Sequence, residues 1–129
     1  MKSQILAEKY PISVLELPKS ETTCRSADDV IAALRARVAA DPGAAEIGVF
    51  DHYAHTTKLG GEIAPGMVAA KNLVFCFGPA LPKAEMLALR PRSYGVAEFA
   101  DRFVVSFMDA PLPPAQKKMT EWADGLKRA

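Results

Sequence analysis

The sequence predicts an α+β fold: a mostly antiparallel sheet of about five strands, with helices layered on one side. Three observations carry this expectation. Residues 27–40 repeat their apolar side chains at the helical period behind a clear N-cap. Several other segments are short apolar runs of strand length, bounded by Gly and Pro. Two of these runs, "SYGVAEFA" and "RFVVSFMD", meet at the short polar step Asp101-Arg102, so they pair as a hairpin.

Taken in order, residues 10–17 ("YPISVLEL") alternate as a strand. Ile12 and Val14 fall on one face, Leu15 and Leu17 on the other, and Pro18 ends the run. Ser26 then caps a helix whose first turn holds Asp28 and Asp29, where carboxylates complement the helix dipole. Val30, Leu34 and Val38 form its stripe, with Ile31 beside them, and "DPG" at 41–43 stops it. A second strand is predicted over about 46–54 ("EIGVFDHYA"), followed by a loop, "TTKLGGEIAPG". "NLVFCF" is apolar on both faces and is expected to be a central strand. "GP" breaks it. Pro82 opens a short helix, "PKAEMLALR", which Pro91 ends. The hairpin follows, then the stiff connector "APLPP". A last helix over about 113–127 aligns Met119, Trp122, Ala123 and Leu126. The order is strand, helix, strand, strand, helix, strand, strand, helix, in a single domain of 129 residues with an ordered core over about 10–127.

Composition agrees. A chain of 129 residues buries roughly two-thirds of the surface its unfolded form exposes, so it needs neither disulfide nor structural metal. Half the residues are hydrophobic, 24% are charged, and the formal net charge is +1. Basic residues are dispersed apart from Lys117, Lys118, Lys127 and Arg128, which suit the end of a final helix. This is not the clustered basic face of a nucleic-acid binder. The N-terminal stretch has no long apolar run, so neither a secretory signal nor a membrane span is expected, and the chain is read as soluble and cytoplasmic. In that compartment Cys24 and Cys76 are free thiols. Cys76 packs as a small hydrophobe; Cys24 precedes a helix start, where a thiolate can be stabilised.

The segments "SADDVIAALRARV", "IGVFDHYAHTTKLG", "LVFCFGPALPKAEMLALRP" and "FVVSFMD" together resemble a family of small bacterial domains of unknown function, number three hundred and two, over about residues 10–127. That resemblance implies a compact, often dimeric α+β fold and no settled reaction. The family's Cys-Asn-Pro stands here as Phe77, Gly78 and Pro79, with Cys76 one position early. One step along a strand turns a side chain to the other face, so no role passes to Cys76.

The chain's only histidines, His52 and His55, sit in "FDHYAHTTKLGG" beside Asp51 and Tyr53. These four residues are the candidate ligand pocket. On an unbroken strand the two imidazoles point to opposite faces; a break near Ala54 brings them together. His52 shares parity with Gly48, and a glycine under a strand opens space for a ligand. Asp51, Cys76 or Glu62 are available as further metal ligands, yet none stands at a recognised spacing, and no metal is assigned. Arg90, Arg92 and Ser93 form a candidate anion site, weighed against a solvated helix end. "GGEIAPG" is read as a flap or plain loop, since no phosphate-loop lysine and serine follow. Glu98 faces solvent by alternation or, if buried, needs a partner. The Phe75 and Phe77 pair belongs to the core.

No catalytic triad is assembled, and the cofactor is left open, with a metal or haem at the histidines as the lesser reading. The leading expectation is a small-molecule-binding or regulatory domain. The alternatives are an enzyme using His52 or His55 for acid–base or metal chemistry, and an interaction protein working through its dimer face. A homodimer is expected, because too few helices exist to cover both apolar faces of the sheet.

Overall fold

The computed structural model describes residues 1–78 and 80–127. Among these residues six strands form one antiparallel sheet: β1 (Lys2–Leu6), β2 (Tyr10–Pro18), β3 (Ala44–Asp51), β4 (Ala69–Phe77), β5 (Arg92–Glu98) and β6 (Arg102–Met108). Their order across the sheet is β1-β2-β6-β5-β4-β3. Among the described residues three α-helices complete the fold: α1 (Ala27–Ala40), α2 (His52–Lys58) and α3 (Pro113–Asp124). The α+β class, the antiparallel sheet and the β5–β6 hairpin are as the sequence predicts.

Several elements differ from the expectation by more than a residue or two at their ends, each for a physical reason. β1 is a sixth strand where none was expected. Its five residues, "KSQIL", are all exposed, so it has no apolar face to read; backbone pairing to β2 holds it (Gln4 opposite Ile12). The expected strand over 46–54 ends at Asp51, and the chain turns into α2. The Asp51 carboxylate accepts the Ala54 amide at 2.9 Å, a local bond that favours a helix start over a further ladder rung. The expected helix from Pro82 is a 3-10 segment, Ala84–Leu89, without a side-chain cap; Leu87 and Leu89 are exposed, so no stripe is buried to hold an α-helix. α3 ends at Asp124 rather than near 127, though Leu126 is still buried. β4, expected at the centre, is interior but next to the β3 edge. Pro79 of the "GP" break and Arg128 of the basic end lie outside the described residues.

α1 and α3 cover one face of the sheet. Leu15, Leu17, Leu73, Phe75, Val96, Phe103 and Val105 rise from it to meet Val30, Leu34 and Val38 of α1 and Met119 and Trp122 of α3. Phe75 stacks on Tyr94 (5.6 Å), whose buried hydroxyl donates to the Met119 carbonyl at 2.7 Å. Burial pushes the Tyr94 hydroxyl far above its ordinary pKa. Cys24 belongs to this core, and both cysteines are free. Phe77, half-buried, stacks on Trp122 at the rim.

The N-terminus of α1 is held twice. Ser26 Oγ accepts the Asp29 amide (3.2 Å), and Glu98 of β5 accepts the Ala27 amide through Oε1 (2.7 Å). Ser26→Ala is expected to lower stability by about 1 kcal/mol, since one first-turn amide loses its acceptor. A urea midpoint equal to the parent's contradicts this.

Candidate functional site

The face opposite α1 and α3 carries no described helix across its middle. Direct cross-strand partners place its residues in rows. One row runs Phe50, Asn72, Gly95, Ser106 and Val14; the next runs Ala70, Ala97, Val104 and Glu16. The middle of both rows is made of small side chains, so the face is hollowed there. The hollow is a trough of about 320 Å³. Its floor is Ala70, Asn72, Gly95, Ala97, Val104 and Ser106, and its walls are His52, Met67 and Phe99.

Gly95 sets the depth. A Cβ there meets Ser106 Oγ at 3.4 Å and Asn72 Nδ2 at 3.8 Å, so both polar groups flank the glycine. Within the described residues no side-chain hydrogen bond engages Asn72, Ser106 or His52. Three uncommitted polar groups therefore line a largely apolar trough, two in its floor and one in its wall, as in small-molecule sites generally.

His52 enters this trough because β3 ends one residue before it. It is the first residue of α2, and His55 lies one turn on, on the same side. Their rings stand 5.6 Å apart, and each packs against Phe50, at 5.5 Å for His52 and 5.3 Å for His55. The helix, rather than a break near Ala54, is what puts both imidazoles on one side. Only His52 lines the trough. The Asp51 carboxylate is committed to capping α2. Tyr53 faces a second cleft of about 320 Å³, formed by α2 and the 62–67 loop, where His52, Glu62 and Met67 also stand. His52 thus divides two adjoining clefts. Gly48 leaves open space beside Val74, one row away. Among the described residues no group of three His, Cys, Asp or Glu side chains is placed to hold a metal.

Arg90, Arg92 and Ser93 do not converge as one anion site. Arg92 and Ser93 are neighbours on β5 and project to opposite faces of the sheet. Arg92 donates to the Met108 carbonyl, and burial pushes its guanidinium below the usual arginine range while Asp109 opposes the shift. Arg90 donates to the Ala80 carbonyl at 2.7 Å. The two arginines do share a small cleft with Phe77 and Leu112, on the helix-covered side. Glu98 is not a solvated residue; it accepts from Lys19 Nζ (2.8 Å) and from the Ala27 amide.

Asn72, Gly95 and Ser106 were not among the sequence candidates. Their signal is parity: each is a small or polar residue at the alternate position of an interior strand whose other face is apolar.

The fold and trough define a class, a helix-backed antiparallel α+β sheet with one open, hollowed face. The chain belongs to a family of unknown function, DUF6858, whose model matches residues 1–128. That family carries another number than the one the sequence pattern resembles; the common ground is a family of unknown function. No curated protein matches the chain. No described helix is long and apolar enough to cross a membrane.

Proposed function

We propose that this protein is a small-molecule-binding or regulatory module, and that its site is the trough on the open face of the sheet. The observation that carries the reading is the hollow over Gly95, Ala97 and Ala70, lined by the unengaged polar groups of His52, Asn72 and Ser106. A flat, largely apolar floor suits a planar ring, and three polar groups in the lining suit a ligand with a few donors and acceptors. Its volume is at the small end for ligand sites, which span roughly 300–1,000 Å³. A cytoplasmic setting, as in bacterial cytosol, belongs to the same reading, in which Cys24 and Cys76 stay reduced.

Acid–base chemistry by His52 is the second reading. It draws on Glu62 and Tyr53 in the adjoining cleft. No hydrogen bond orients His52 toward either residue within the described chain, and His55 stands outside the trough. General catalysis needs such an orienting partner, so binding is favoured over turnover.

The test is a two-dimensional amide NMR titration with a library of flat heteroaromatic fragments. The expected result is a set of shifts confined to residues around Asn72, Gly95 and Ser106. Gly95→Leu fills the trough at a position without positive φ and is expected to weaken binding at least about tenfold, or about 1.4 kcal/mol. Shifts that gather elsewhere, or a Gly95→Leu protein that binds as its parent does, refute the assignment.

A further inference from the structure

We infer that a second copy of this chain packs on the open sheet face through a twofold contact and closes the trough. The inference rests on the binding reading for what the closed space holds, and on the sheet alone for the contact itself.

An antiparallel sheet that leaves one face in water normally alternates apolar and polar side chains. Here the open face does not. Its central strands, β4, β5 and β6, offer only Asn72, Ser93 and Ser106 as polar side chains between their ends. Charges stand at the periphery, at Lys2, Glu16 and Arg102. Tyr10 and Met108 on the same face are 49% and 55% exposed. A charge-poor centre inside a charged rim is the anatomy of a protein interface.

The dimensions fit a copy of the chain. Six strands about 4.8 Å apart, paired over about seven residues of 3.4 Å each, give roughly 600 Å² of flat projection. Relief adds to this, and a standard contact takes about 800 Å² from each partner. One surface carries both a hollow over Gly95 and two well-exposed apolar side chains, Tyr10 and Met108, and an isologous contact draws on the same patch of both copies.

Edge extension fits less well. β1 is only five residues long, and β3 is broken by a bulge between Glu46 and Gly48. Short and bulged edges resist pairing. The trough itself points the same way. A ligand lying on a sheet face is covered on one side only, whereas small-molecule sites enclose roughly 70–90% of the ligand surface. A second sheet laid over the first supplies the missing wall.

Sedimentation and light scattering of the full chain at micromolar concentration test this. The expected mass is twice the 13.9 kDa of one chain. Met108→Glu places a charge on a position that is exposed in the single chain and outside the trough, so it is expected to fold normally and halve the mass. Val14→Lys on β2 reads the same face should Met108→Glu lose its circular-dichroism signature. A parent mass of one chain at every concentration overturns the inference and leaves the trough as a monomer's ligand site. A dimer that survives both substitutions overturns it too, because another surface then joins the copies. A dimer split by them upholds it, whether or not any fragment binds.

Discussion

Replacing Trp122 with alanine is expected to cost roughly 3–5 kcal/mol, the range for deleting a buried large aromatic. The indole is almost wholly buried and joins two layers. It stacks on Phe77 of β4 at 5.2 Å, with the ring planes 17° apart, and lies 6.2 Å from Phe75. It also belongs to the face of α3 that holds Met119 and Ala123 in the core. Truncation leaves a cavity between the rim of the sheet and the last helix, whose preceding turn is tied to β5 by the Tyr94–Met119 bond. Domains of this size have only about 5–15 kcal/mol in hand, so a large part of the stability goes. Urea unfolding followed by circular dichroism reads the loss; Trp122→Phe, which keeps a stacking ring, is expected to recover much of it. A Trp122→Ala midpoint within experimental error of the parent contradicts this packing.

Glu98→Ala is the second large effect, expected at about 2–3 kcal/mol. An exposed ion pair is worth about 0–1 kcal/mol, but this carboxylate is only 14% exposed and has two duties. One oxygen accepts Lys19 Nζ and the other accepts the first amide of α1, Ala27. Alanine leaves a half-buried ammonium above the Phe103 ring and an amide without its acceptor. Stranding a charge and a donor together costs more than the pair itself contributes. Glu98→Gln keeps an acceptor for Ala27 and is expected to fall between. Equal midpoints for Glu98→Ala and the parent contradict the account.

Glu98 also shows where sequence reasoning stops. Its alternation on β5 is legible, and so is the requirement for a partner if it is buried. That the partners are Lys19 and Ala27, more than seventy residues away, follows only from the sheet. Elements with strong local signals were read correctly: α1 with its Ser26 cap, the β5–β6 hairpin, and the stripe of α3. Elements held by distant pairing or weak local choices were not. "KSQIL" has no apolar period, and "PKAEMLALR" has a helical composition with nothing to bury it. The candidate site was half legible. His52 was singled out by rarity and by its parity with Gly48, but the strand was carried three residues too far, because Asp51 as a helix cap looks like any aspartate in a run. The floor of the trough was overlooked, since Asn72, Gly95 and Ser106 lie far apart in the chain and become neighbours only through register. Arg92 and Ser93 failed as an anion pair for a reason the sequence does contain: adjacent strand residues face apart.

The place of β6 between β2 and β5 has a bearing on how the chain is made. β2 leaves the ribosome some ninety residues before β6, its partner on the inner side of the sheet. At about 5–20 residues per second, some ninety residues of synthesis take roughly 5–20 s. During that interval Leu15 and Leu17 lack their strand partners, and the β1 register stops at Val14, short of both. The β1–β2 hairpin therefore waits with the inner edge of β2 unpaired, and Leu15 and Leu17 gain their cross-strand partners only when Val105 and Phe103 reach them.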